Sequence, residues 1–205
     1  DLHLLVLDKP AGLLCVPGRG PDKQDCLSAR TQARWPEALV VHRLDMATSG
    51  IVLMARSLTV QRQLSLAFEQ RRVHKNYEAV VAGTPNAPLK QWQELHAPIA
   101  ADWERRPLRV IAVDGKPSHT RWQRLQSWEQ DGLPISRLRL EPVTGRTHQL
   151  RVHLQHLGHP ILGDALYAPA QVQAASPRLQ LHACDLGLEH PITGQSMHWH
   201  SAVPF

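Results

Sequence analysis

The chain has 205 residues, 42% of them apolar, and a formal net charge of +5, values that exclude a disordered tail or a miniprotein and allow one core or two closely joined lobes. No apolar run approaches the roughly 18 residues of a membrane span, and the start does not read as a signal peptide. Three scattered cysteines, Cys15, Cys26 and Cys184, outside any C-x-x-C pair, argue against a disulfide framework or a thiolate zinc site and suit a reducing cytoplasm. Eighteen arginines against five lysines favour planar contacts to phosphates and bases over a merely solvated basic surface, so nucleic acid is the expected partner.

The first predicted element is a strand over 4–8, and the abrupt opening in Leu2–Leu7 suggests that N-terminal sequence has been trimmed. A Lys9-Pro10-Ala11-Gly12 turn leads to a second strand over 13–16 and the Pro17–Gly20 loop. A short helix over 28–35 is stopped by Pro36; strands over 40–44 and 50–55 flank a polar turn. The clearest helix covers 57–72, with Leu58, Gln61, Leu64, Ser65 and Phe68 at helical spacing. A strand follows over 73–82, then loops and short strands over 86–117, and a strand pair over 118–128 and 135–140 joined near Asp131-Gly132, with Leu138 and Leu140 facing inward. A helix over 147–157 carries Leu150, Leu154 and Leu157 on one stripe and stops at Gly158 and Pro160. A loop over 164–177 and closing strands over 179–188 and 196–199 complete an α+β pattern.

Two segments carry candidate chemistry. In His42-Arg43-Leu44-Asp45-Met46-Ala47-Thr48-Ser49-Gly50 a carboxylate stands beside an arginine in a tight turn, pinned by the apolar run Ile51–Ala55. Alone, this is also ordinary turn and capping chemistry. In Glu141-Pro142-Val143-Thr144-Gly145-Arg146-Thr147-His148-Gln149-Leu150-Arg151 a strand gives way to a helix with an arginine at the junction, whose guanidinium can fork onto a carboxylate. Four histidines of the following region, His148, His153, His156 and His159, do not reproduce a two-His helix motif with its glutamate, so no metal site is expected among them.

Together these segments resemble the RluA family of pseudouridine synthases, whose hallmark is an HRLD-x-x-TSG block followed by GR-[ST]-HQ-[LI]-R. Further matching landmarks are Asp8–Leu13, Lys75–Ala79 and Gly158–Asp164. The VHRLDMATSG block and the Leu14–Arg19 stretch are most similar to the dual-specificity branch. The resemblance implies a pseudouridine synthase fold: a large, mixed, mainly antiparallel sheet with flanking helices and a central RNA-binding cleft. It also implies one catalytic domain over 1–205, in two lobes and without an S4 domain.

The implied activity is cofactor-independent isomerisation of uridines in structured RNA, in large-subunit rRNA and in the tRNA anticodon stem-loop. The resemblance assigns Asp45 as the essential carboxylate, Tyr77 as the stacking and proton-handling phenol, and Arg146 as the cation that pairs with the carboxylate. It places Leu150 against the uracil and Arg43 in the space left by a flipped nucleotide, since flipping costs a few kcal/mol of stacking. His42 and Arg151 are secondary candidates for substrate contact and fit scaffold roles equally well. No metal, cofactor, membrane or DNA is expected, and a monomer is the default. A relative with a single rRNA target, a silent RNA-binding module and a small-molecule nucleosidase are the alternatives; the joint presence of Asp45, Tyr77 and Arg146 disfavours the silent module.

Overall fold

The apolar run after the Asp45 turn is buried at every residue from Ser49 to Ala55, which only a strand covered on both faces requires. The computed structural model describes residues 1–205. In chain order its elements are β1 (Leu4–Lys9), α1 (Leu27–Gln32), β2 (Leu39–Val40), β3 (Ser49–Ala55), α2 (Leu58–Glu69), β4 (His74–Ala82), β5 (Gln93–His96), β6 (Ile99–Ala101), β7 (Arg109–Ile111), β8 (His119–Gln130), β9 (Leu133–Pro142), α3 (Gln149–His156), α4 (Ala170–Ala174), β10 (Leu181–Glu189) and β11 (Ser196–His200). They form two units, residues 1–75 with 182–204, and residues 76–181 with 205.

In the first unit β3 is central. β1 runs antiparallel to it from Leu4↔Ala55 to Lys9↔Gly50, β2 pairs antiparallel through Leu39↔Ala55, and β10 lies parallel through His182↔Ser49 and Ala183↔Gly50. Ile51, Leu53 and Ala55 pack on Val60, Leu64 and Ala67 of α2 and on Leu186 and Leu188 of β10. Met54, on the opposite face, packs with Leu5 and Ala38. The parallel crossing brings backbones so close that a Cβ on Gly50 (φ 112°) would stand 2.3 Å from the Ala183 carbonyl oxygen, which explains the glycine.

Three expectations need correction here. The segment over 13–16 is not a ladder strand: the Leu14 and Cys15 carbonyls accept from the N–H groups of Leu27 (2.8 Å) and Ser28 (3.1 Å), satisfying donors that the start of α1 leaves unpaired. The strand expected over 40–44 pairs only at Leu39–Val40, because the Leu53 N–H beyond donates instead to His42 Nε2 at 2.9 Å. The buried stripe of α2 is Val60, Leu64 and Ala67, while Leu58 is 60% exposed. The Ser57 hydroxyl accepts from Val60 N–H and sets the helix start, so Leu58 falls in a first turn that points away from β3.

In the second unit β4, β9, β8 and β5 form an antiparallel order. The β8–β9 hairpin turns on Asp131 (φ 51°) and Gly132 (φ 76°), two successive positive-φ residues that match the twist of the strands as a type I′ turn does. Leu138 and Leu140 are fully buried, on the expected face. The segment over 86–117 contains β5 and the small β6–β7 sheet, whose Ile99 and Ile111, with the preceding Leu108, pack with Val152 of α3 and with Tyr167. The loop expected over 164–177 contains α4, whose Val172 joins Val80, Ala82, Ile135 and Leu162 in a core; five residues are too few to show a helical period.

Candidate active site

Asp45 sits half-buried in the unpaired stretch between β2 and β3, where its carbonyl accepts from Thr48 N–H at 3.1 Å to close a turn. The turn is clamped from several sides. Lys9, at the end of β1, is 1% exposed, and its ammonium donates to the carbonyls of Pro10 (2.8 Å), Leu13 (2.8 Å) and Met46 (3.0 Å). The Gly12 N–H also donates to the Met46 carbonyl, at 2.8 Å. The buried Cys15 thiol accepts from Leu44 N–H at 3.2 Å, and burial pushes that thiol's pKa up.

A line of hydrogen bonds, buried at Ser49, His182 and Ser201 and reaching the exposed Asp8, holds the far end of the turn. Ser201 Oγ donates to Asp8 Oδ2 (2.6 Å) and so accepts from His182 Nε2 (3.0 Å), and His182 Nδ1 is hydrogen-bonded to Ser49 Oγ (2.8 Å). His42 stacks on Phe68 with ring centroids 4.4 Å apart, and burial pulls its pKa down to about 3, so it is neutral and accepts at Nε2. His42 is thus engaged with β3 and α2 as a scaffold residue. Arg43 is exposed.

In the second unit Tyr77 is half-buried on β4, opposite Leu140 of β9. Arg146 is exposed in the loop between β9 and α3, with Nε and Nη2 each 3.3 Å from the Pro117 carbonyl, contacts weak enough to exchange on binding. Its backbone is fixed by Gln149, which the sequence reading did not single out. Gln149 Oε1 accepts from Thr144 Oγ1 (2.7 Å) and Arg146 N–H (3.0 Å), while Nε2 donates to the His119 carbonyl (2.9 Å) and Thr120 Oγ1 (3.0 Å). Its signal in the sequence is its place in the GR-[ST]-HQ-[LI]-R block; in the structure it follows the left-handed His148 (φ 55°) that opens α3 without a side-chain cap. His148 Nδ1 is bonded to the Tyr167 hydroxyl at 2.6 Å, and that hydroxyl accepts from Arg109 N–H at 2.9 Å.

Leu150 is buried one turn on, and Arg151 is 4% exposed with Nε and Nη2 on the two oxygens of Asp164 at 2.8 and 2.6 Å. The Arg151 guanidinium also lies 5.1 Å from the Tyr167 ring centre. Its surroundings are those of a fold-holding residue. The histidines weighed as a metal cluster are committed separately: His153 to Thr120 Oγ1 (2.8 Å) and the Ala97 carbonyl (3.0 Å), and His159 to the Ala82 carbonyl (2.8 Å).

The sequence matches the RNA pseudouridylate synthase family over residues 3–156. It is 43% identical over 201 residues to a dual-specificity RNA pseudouridine synthase RluA of Vibrio parahaemolyticus, covering 97% of this chain and 78% of the relative. The likeness to the protein of the same name in Escherichia coli K12 is 42% over 206 residues, covering 100% and 91%. Among solved structures, human RNA pseudouridylate synthase domain containing 1 superposes with a TM-score of 0.82 at 30% identity, covering 100% of this chain and 82% of that one. Human RNA pseudouridylate synthase domain containing 4 gives 0.77 at 25% identity, covering 100% and 87%. No helix is long and apolar enough to cross a membrane.

Proposed function

We propose, from the premise that this chain belongs to the RNA pseudouridylate synthase family and is an isomerase acting on RNA, that it modifies uridines in both large-subunit rRNA and the tRNA anticodon stem-loop. The observation that carries the dual specificity is identity above 40%, over essentially the whole chain, to relatives named for two RNA targets. The working compartment is the cytoplasm, and residues 1–205 act as one catalytic domain.

Each turnover breaks the bond between uracil N1 and ribose C1′, turns the base, joins C5 to C1′, releases the C5 proton to solvent and leaves N1 carrying a proton. Composition is unchanged, so no redox partner is needed. Asp45 supplies the carboxylate that opens the glycosidic bond, a role that carboxylates perform at sugar carbons. Its clamped turn supports this reading, because a reacting group held in place loses little entropy at the barrier. Tyr77 stacks on the base and handles a proton. Arg146 is the cationic counterpart of Asp45, Leu150 gives the uracil an apolar wall, and Arg43 occupies the gap in the RNA stack. His42 and Arg151 hold the fold around these groups.

The test is tritium release from C5-labelled uridine in rRNA and tRNA transcripts, with modified positions mapped and Asp45→Asn as control. Release from both RNAs, abolished in the variant, is expected. Release that persists in Asp45→Asn overturns the catalytic assignment, and release from rRNA alone favours the single-target reading. RNA affinity should fall steeply with salt as phosphate contacts release counterions.

A further inference from the structure

On β5 and β8, Glu94, His96 and His119 share one face of the sheet. His96 and His119 are direct cross-strand partners, and Glu94 lies two residues before His96, where the strand's alternation returns a side chain to the same side. The two imidazoles stack with centroids 4.0 Å apart and an interplanar angle of 18°. Glu94 Oε2 contacts His119 Nε2 and lies 3.7 Å from His96 Nε2, and the three donor atoms all fall within 4.8 Å of one another.

The second oxygen of the same carboxylate is turned away from the histidines. Arg121 Nε lies 3.3 Å from Glu94 Oε1, while Arg121 Nη1 is bonded to Glu141 at 2.6 Å and its guanidinium covers Trp92 with a centroid distance of 4.9 Å. Two carboxylates thus share one guanidinium, which leaves a negative charge for a dication and fixes Glu94 from behind, as outer-shell partners of metal ligands do.

We infer that Glu94, His96 and His119 bind one divalent transition-metal ion of the zinc class. Two imidazole nitrogens and one carboxylate oxygen suit zinc or cobalt(II), whereas magnesium and calcium favour all-oxygen shells. Tetrahedral zinc, with bonds of roughly 2.0–2.1 Å, sets its ligands about 3.3 Å apart. The Glu94–His96 pair at 3.7 Å is already near that spacing, whereas the closer Glu94–His119 contact must open by side-chain rotation to admit the ion. A fourth position stays open to water. The bound ion straps β5 to β8 at a strand end whose His119 carbonyl accepts from Gln149 and from the N–H groups of Val143 and Thr144.

The experiment titrates metal-free protein with zinc by calorimetry and with cobalt(II) by visible absorption, and follows melting with and without zinc. Wild type should bind with the band of a low-symmetry cobalt site and melt at higher temperature with zinc, because a ligand that binds only the folded state stabilises it. Glu94→Gln and His96→Gln change exposed side chains and should fold as wild type, yet weaken binding by at least about tenfold, the lower limit seen even for outer-shell changes. His119→Gln should do the same. Thirteen histidines offer other weak sites, so the comparison among variants decides. Binding as tight in Glu94→Gln and His96→Gln as in wild type, no cobalt band in wild type, or an equal melting shift with magnesium would overturn the inference.

Discussion

Lys9 donates to the main-chain carbonyl of Met46 at 3.0 Å, so a buried charge from the first strand holds the residue that follows Asp45. An ammonium has three N–H donors, and here three backbone carbonyls accept from it. Lys9→Met keeps the stem and removes those donors. Chemical denaturation should show a loss of about 1–3 kcal/mol for the unsatisfied carbonyls. Steady-state kinetics should show kcat reduced about tenfold with KM nearly unchanged, equivalent to roughly 1.4 kcal/mol at the barrier. A KM effect alone would mean that the clamp serves binding and not the position of Asp45.

Gln149 uses all of its hydrogen-bonding capacity inside the second unit, two bonds accepted and two donated. Gln149→Leu should leave the Arg146 N–H without its acceptor and lower stability by about 1–3 kcal/mol. Turnover should fall further than in an exposed-surface control, since the backbone that aims Arg146 is released. Gln149→Glu keeps the two acceptor contacts and should retain more activity than Gln149→Leu.

Arg151 and Asp164 form a two-point ion pair away from solvent. Removing one partner strands the other charge, so Arg151→Met or Asp164→Asn should each cost about 3–5 kcal/mol in urea unfolding. Arg151→Lys is not a rescue, because a lysine cannot fork onto both oxygens. If the double variant Arg151→Met/Asp164→Leu regains stability, the pair is dispensable for folding.

Burial lowers the pKa of His42 to about 3 and also lowers that of His153 from the ordinary 6.5. Below pH 6.5 the unfolded chain therefore takes up protons that the folded chain refuses, and stability falls as pH drops toward 3. His42 contributes up to about 1.4 kcal/mol per pH unit through this window, and His153 adds an effect of the same sign below pH 6.5. Melting temperature should decline from pH 6.5 downward, and His42→Gln should flatten the decline. An unchanged slope in that variant would assign the acid sensitivity elsewhere.

The Asp45 turn and β3 are legible in the sequence because polar turn residues abut an uninterrupted apolar run, and both signals are local. The Asp131-Gly132 hairpin and the inward Leu138 and Leu140 are legible for the same reason: alternation and a turn dipeptide lie side by side. Lys9 and Gln149 lie within recognisable motifs, but their roles depend on partners up to 37 residues away, and spacing does not encode such partners. The strand wrongly expected over 13–16 has strand-like composition; its carbonyls are claimed by α1, a tertiary choice that no propensity reveals. Leu58 shows the limit of periodicity, since a second apolar set at the same spacing, Val60, Leu64 and Ala67, is the one that turns inward.

The parallel contact between Ser49–Gly50 and His182–Ala183 has a consequence for biosynthesis. One unit is assembled from the first 75 residues together with 182–204, whereas the other draws almost entirely on the uninterrupted stretch 76–181. On the ribosome the middle of the chain is therefore complete first, while the sequence around Asp45 waits, without its neighbouring strand, until the last segment emerges. Partial products of translation can pair β3 with β1 and β2 but leave its Ser49–Gly50 end, next to the carboxylate, with an open edge until β10 is made.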